Sequence, residues 1–506
     1  MASPQASCLL SAGLSPDRVL LPSDPKFLER QSSYWSCVVR SLEPACIVQP
    51  QSAQEVSSVV RALVASAIPF AVRSGGHTAW AGANNIGSGG VTIDLGRMSW
   101  VQLHDGDEGN GGTVDLGPGN RWGEVYAELA QYGLIVAGGR EGNVGVAGLI
   151  LGGGMAFFTA RHGLACDNVV EFEVVLADGR IARARKEGEH ADLYRALKGG
   201  SNNFGIVTNF RMRSIAARPV WAGMTVHPKA AIPQAIQALK DFTDDVPTDV
   251  DSNLLCFFTY TGMDKCIDGY RGFYLLSCLP IKPEFKDVMV VGALIQMAGV
   301  EEAPAYKKWL EMPTTATTCK ITTVTQLAMD YSQAKDYYNV WFTASFKNDT
   351  RIVAKAAELH DKLVSDFKSF IPSGDFITQC LFQPFPRLFG QLSAAAGGNV
   401  LGIDQQQRNG LLWLAVAQVR TPEQERFAYA KIQEWVQAVK EFAATIQGNL
   451  EWTYLNYADR SQDPLGSYGV ENVRFMQKVA NRYDPDGVFQ TLCPGGFKVS
   501  KAKVPN

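Results

Sequence analysis

Apolar residues recur along this chain at helical spacing, at strand alternation and in short continuous runs, and their order predicts its elements. Ser52-Ala53-Gln54-Glu55 reads as a capping box opening a helix whose Val56, Val59, Val60 and Leu63 share one face. Pro69-Phe70-Ala71-Val72 follows as a strand, and Val91-Thr92-Ile93-Asp94-Leu95 as another. Thr113-Val114-Asp115-Leu116 leads through Gly117-Pro118-Gly119 into a helix from Trp122 to Leu129. Phe172 to Leu176 and Ile181 to Ala184 flank Asp178-Gly179, which signals a hairpin. The opening residues 1–30 are rich in Ser and Pro and read as a loosely ordered arm.

Beyond about residue 216 the pattern changes. Strand-like aromatic runs appear at Leu254 to Tyr260, Gly272 to Cys278, Val340 to Phe346 and Leu411 to Val419. Helical stretches such as Arg351 to Ser365 and Pro422 to Ala443 separate them. Together they predict a second α+β unit with a mostly antiparallel sheet. The C-terminal stretch, 452–506, returns to a short aromatic motif, a helix near Val470 to Arg482, and Tyr483-Asp484-Pro485.

Composition narrows the class. At 506 residues, 46% of them hydrophobic, the chain has material for two or three domains. A formal charge of −3 leaves no electrostatic footprint for nucleic acid or an anionic membrane. No apolar run approaches the roughly 20 residues needed to span a bilayer. Met1 to Ser15 holds no basic residue, and its apolar stretch at Cys8-Leu9-Leu10 is short for a secretion signal, so a cytoplasmic location is expected. The 10 cysteines form no CxxC or CxxH pair, which argues against a metal site. They are expected as reduced thiols, with a disulfide joining two of Cys37, Cys46 and a later cysteine as the alternative. His104, His162, His190, His227 and His360 show no spacing for a metal or a triad.

Glycine carries the strongest chemical signal. It clusters at Gly75-Gly76, from Gly138 to Gly154, at Gly199-Gly200 and at Gly205. Bare backbone can turn with positive φ and bring successive N–H groups against a ligand, and a pyrophosphate is one of the few ligands needing so much of it. A single loop would be an ordinary turn; several with apolar flanks point to a dinucleotide. A Rossmann site fits poorly, because no GxGxxG opens a helix straight after a first strand with an acidic residue following.

These residues resemble a known family. Arg73-Ser74-Gly75-Gly76-His77, Val144-Gly145-Val146-Ala147-Gly148 with Gly152-Gly153-Gly154, Leu164 to Val169, Gly199 to Thr208, Tyr454 to Asp459 and Tyr483 to Phe489 follow the order seen in FAD-linked oxidases of the vanillyl-alcohol-oxidase superfamily. The wording is most similar to the berberine-bridge-enzyme-like branch, and to fungal members that act in secondary metabolism. The resemblance runs from about Ser33 to Phe497. It implies an α+β fold: a two-part FAD-binding domain of PCMH/VAO type, residues 31–215 and 452–506, and a substrate domain, 216–451, whose mostly antiparallel sheet is backed by helices.

The same resemblance implies the site. His77 would bond covalently to the flavin 8α-methyl carbon, and the loop Ser74 to Thr78, with Gly75 and Gly76, would wrap the pyrophosphate, Arg73 being a further FAD contact. Val144, Gly145, Gly148, Gly152, Gly153, Asn168, Gly205, Ile206, Val207 and Asn456 complete the expected FAD contacts. Relatives often carry a second flavin bond from a cysteine where this chain has Glu141, so one linkage is expected. A tyrosine common after the triple glycine is Met155 here. Val144 matches a gate position where a small residue accompanies reactivity with dioxygen, which favours an oxidase. Tyr454 and Tyr457 are the candidate bases, each with the alternative of a packed aromatic. Gln383 and Gln391 are weaker candidates, and Phe257, Phe258, Tyr260, Trp341, Phe342, Trp413 and Trp452 suit either a substrate cavity or core.

The reaction these features imply is hydride transfer from a small organic substrate to flavin, with O2 taking the electrons, in a monomer or homodimer that needs no nucleic acid or membrane. Two alternatives stand beside it. One is a dehydrogenase with another electron acceptor; the other uses the cavity to steer a cyclisation or cycloaddition.

Overall fold

The computed structural model describes residues 3–104, 112–262 and 287–503; the strand expected from Gly272 to Cys278 lies outside them. Three sheets organise the chain. In the first, Cys46–Val48 and Phe70–Arg73 flank Val91–Asp94 in parallel, and Val19–Leu20 adds an antiparallel edge. Helix Ala53–Ala65 covers this sheet with Val56, Val59, Val60 and Leu63, all buried. Its capping box is half formed: Ser52 Oγ accepts from the Glu55 N–H at 3.2 Å, while the Glu55 carboxylate turns to the Gln51 N–H at 2.8 Å.

The arm is ordered, against expectation. Helix Pro4–Ser11 starts with Ser3 Oγ accepting from Ala6 N–H and a proline in its first turn, and it buries Ala6 and Leu9 in the same core as Ala53–Ala65. A Ser/Pro-rich composition hid a short apolar face that only its partner helix makes useful.

The second sheet orders Val101–His104, Thr113–Leu116, Ile206–Ala216, Val169–Val175 and Ile181–Arg185, all antiparallel. The third is a nine-stranded sheet, antiparallel throughout the described residues, containing Val220–His227, Ser252–Thr261, Met289–Gln296, Tyr338–Lys347, Ile377–Phe385 and Gly410–Val419. Helices Ile232–Asp245, Thr350–Phe370 and Pro422–Thr445 pack on one face of it.

Side chains alternate across a strand, so each strand of this sheet divides its residues between the helices and the opposite face. Phe258, Phe342, Phe382 and Trp413 point to the helix-backed core; Trp413 meets Trp435, and Phe342 meets Tyr429, both on helix Pro422–Thr445. Phe257, Trp341, Gln379, Leu381 and Leu414 point the other way, into a cavity against the glycine loops. No helix among the described residues is long and apolar enough to cross a membrane.

Candidate active site

Strand Phe70–Arg73 ends at the mouth of that cavity and releases the chain into Ser74-Gly75-Gly76-His77-Thr78, all of which line it. The second loop, Val144-Gly145, lies directly against the first. A Cβ at Gly75 would stand 2.5 Å from Gly145 Cα, so a side chain at either position would force the two loops apart. Arg121 ties the two loops: its guanidinium donates to the Gly75 carbonyl at 2.6 Å and to the Asn143 carbonyl. Gly148, one turn into helix Val146–Leu151, leaves open space where a side chain would be.

His77 stands where the loop wall meets the sheet wall. Its ring stacks on Trp35 with centroids 4.3 Å apart, and Trp35 in turn meets the edge of Trp341. Burial, reinforced by the Arg121 charge, pushes the imidazole down to about 3, so it is neutral near pH 7. Its Nε2 lies 3.5 Å from Glu141 Oε2.

On the sheet side, Arg140 reaches into the cavity and donates through Nη2 to Gln383 Oε1 at 2.6 Å and to the Tyr457 hydroxyl at 2.9 Å. Gln383 Nε2 donates to the same hydroxyl at 3.3 Å. Tyr454 meets Tyr457 edge to face at 4.9 Å, but its hydroxyl accepts from the Met155 N–H at 2.8 Å and from Asn456 Nδ2 at 3.0 Å. Burial, then the neighbouring Tyr457, pushes the Tyr454 phenol far up, so it stays protonated. The Trp341 Nε1 and Tyr331 hydroxyl, both in the cavity wall, have no hydrogen-bond partner among the described residues.

Most of the expected residues converge on this cavity of about 340 Å³. Ser74, Gly75, Gly76, His77, Thr78, Val144, Gly145, Gly148, Gly205, Ile206, Val207, Tyr454, Asn456 and Tyr457 all line it. Four do not, and each is held by packing. Arg73 is fully buried on the far side of its strand end, its guanidinium over the Tyr34 ring and donating to the Arg30 carbonyl and Ser33 Oγ. Asn168 Nδ2 donates to the His162 and Leu164 carbonyls and fixes that turn. A Cβ on Gly152 would overlap the Asn456 amide, and one on Gly153 would strike Leu401. Gln391 is exposed on its helix, and Tyr260 stacks on Phe376 outside the cavity.

Sequence reasoning passed over Arg140, although a charged pair inside the run Gly138 to Gly142 was a signal. His227 and His360 are core residues bonded to Thr225 and Thr378. Among the described residues no cluster of metal ligands forms, and the cysteines, Cys37 and Cys46 included, are free thiols.

The lining suits a flavin dinucleotide. Bare backbone at two abutting loops, an apolar end at Val72, Leu95, Ile206 and Phe489, and buried polar atoms at His77 and Asn84 without partners among the described residues are what a bound dinucleotide would complete. Comparison with known proteins agrees. The FAD binding domain family matches residues 44–185. The chain is 35% identical to the FAD-dependent monooxygenase drtC of Aspergillus calidoustus over 96% of this chain and 89% of that protein. In fold it is similar to 6-hydroxy-D-nicotine oxidase from Arthrobacter nicotinovorans (TM-score 0.71, 21% identity, covering 93% of this chain and 96% of that one). It is also similar to BBE-like 1 of Physcomitrella patens (TM-score 0.72, 16% identity, covering 100% of both chains). The chain therefore belongs to the family of FAD-dependent oxidoreductases with the berberine-bridge and vanillyl-alcohol-oxidase fold.

Proposed function

We propose that the protein is an oxidase carrying FAD covalently bound through His77, which takes a hydride from a small organic substrate of secondary metabolism and passes the electrons to O2 as hydrogen peroxide. The observation that carries this reading is His77 itself: a buried, neutral imidazole in the cavity wall, clamped flat against Trp35 at the seam between the glycine loops and the substrate sheet. A neutral imidazole nitrogen is a competent nucleophile near pH 7.

Ser74, Gly75, Gly76 and Thr78 would hold the pyrophosphate with backbone and hydroxyl groups. Val144, Gly145 and Gly148 would flank the ring system, and Gly205, Ile206 and Val207 the apolar end. When bound, the flavin supplies the hydride acceptor. Tyr457 is the group placed to take the substrate proton, because its hydroxyl lies in the cavity beside the Arg140 cation, whereas the Tyr454 hydroxyl is committed to Met155 and Asn456. Phe257, Trp341, Leu381 and Leu414 would enclose an apolar or flat substrate, with the Trp341 N–H as an unused donor.

Acid precipitation of the purified yellow protein tests the linkage. The flavin should stay with the precipitate, a peptide containing His77 should gain the mass of the cofactor, and His77→Ala should release all colour. Complete release from the unsubstituted protein overturns the covalent reading.

The names of the relatives favour a second reading, in which one oxygen atom from O2 enters the product. Turnover under labelled dioxygen separates the two: label in peroxide alone supports the oxidase, and label in the product supports the monooxygenase.

A further inference from the structure

We propose that Glu141 is the positioning residue for flavin attachment: its carboxylate takes the Nε2 hydrogen of His77, so that the lone pair which bonds the flavin sits on Nδ1. The inference rests on the covalent reading above.

Glu141 stands in the second loop, one residue from Arg140 but facing the opposite way. Its Oε1 is occupied, accepting from the Gln333 N–H at 3.1 Å and from Asn143 Nδ2 at 3.2 Å. Among the described residues its Oε2 has no hydrogen-bond partner, and neither does His77 Nε2; both atoms are buried, and they lie 3.5 Å apart. A buried polar atom without a partner is destabilising, so two such atoms facing each other point to a shared hydrogen.

Everything around the pair restricts its motion. Trp35 fixes the plane of the imidazole, Arg121 joins the backbones of both loops, and the Gly142 N–H donates to the Ala328 carbonyl at 2.8 Å. Burial raises the Glu141 carboxyl, while the N–H groups of Gln333 and Asn143 oppose that rise. His77, neutral through its own burial, has a single ring hydrogen to place. With that hydrogen on Nε2 facing Oε2, the opposite nitrogen is the nucleophile, which is how a carboxylate selects an imidazole tautomer.

One C–H bond of the flavin 8α-methyl group and the imidazole N–H break, and the Nδ1–C bond forms. The two electrons left on the ring pass to dioxygen, which takes both hydrogens as hydrogen peroxide. Glu141 acts only on the imidazole and touches no reacting carbon.

Three variants of the full-length holoprotein test this: Glu141→Gln, Glu141→Asp and Glu141→Ala, each measured for total bound flavin, for the fraction retained on acid precipitation, and for Tm. Glu141→Gln keeps the size and an Oε1 acceptor but can aim an NH2 at Nε2. We expect it to bind flavin with the fraction covalently held down at least fivefold, and Glu141→Asp to regain part of it. A covalent fraction in Glu141→Gln equal to that of the unsubstituted protein overturns the proposal. So do equal losses in the Gln and Asp variants, which would make the side chain's shape the cause. Should Glu141→Gln bind no flavin, the comparison passes to Asp against Ala: a higher covalent fraction in Asp supports the proposal, and equality overturns it. Loss of covalent flavin in the unsubstituted protein would instead remove the covalent reading itself.

Discussion

The two walls of the cavity are built on opposite principles. The loop wall, Ser74 to Thr78 against Val144 to Gly148, is mostly backbone, and its shape depends on side chains being absent. The sheet wall is made of side chains on strands whose opposite faces carry the hydrophobic core: Phe257 lines the cavity and Phe258 the core, Leu381 the cavity and Phe382 the core. A loop wall of this kind suits a cofactor whose shape is constant. A sheet wall can be altered one strand position at a time without disturbing the cofactor, which suits substrate discrimination.

Tyr457 sits where the walls meet, and Tyr457→Phe should be the most damaging change to turnover. Removing the hydroxyl bonded by Arg140 and Gln383 is expected to lower kcat by about 10²- to 10⁴-fold, the usual contribution of a positioned acid or base. Flavin content and Tm should stay close to the parent, and an unchanged kcat would remove Tyr457 from the proton pathway.

The sheet wall is tested by neighbours. Phe382→Ala should destabilise by about 3–5 kcal/mol, because it opens a hole beneath the helices. Leu381→Ala should destabilise less, by at most about 2–3 kcal/mol, and should raise KM instead. Urea unfolding paired with steady-state kinetics reads both; equal effects on stability and KM at the two positions would break the division of faces.

The loop wall is tested at its point of closest approach. Gly145→Ala would place a Cβ 2.4 Å from the Gly75 N and force the loops apart, at about 1–3 kcal/mol. Flavin affinity should fall along with Tm. An alanine variant with full flavin content would show that the loops move independently.

What could be read in advance divides along the same line. The glycine loops, His77 and the aromatic motif Tyr454 to Asp459 were legible because local residue type alone limits what such backbone can hold. Even so, Arg73, Gly152, Gly153 and Asn168 belong to those motifs and do not line the cavity, since a motif does not say which of its residues face inward. The aromatics of the sheet were found as strands but not as faces. Trp341 and Phe342 look equivalent in a string, and only pairing with Gly410–Val419 and the helix carrying Tyr429 separates them.

The chain's own order of apolar runs and glycines thus determined the elements, the glycine loops and the family, because these depend on period and on bare backbone. The tertiary structure alone decided that Arg140 turns toward Tyr457 while Glu141 turns toward His77, and that the Ser/Pro-rich arm docks through Ala6 and Leu9. Those choices follow from contacts between residues far apart in the chain, where burial and unmatched polar atoms, rather than local preference, set the direction of each side chain.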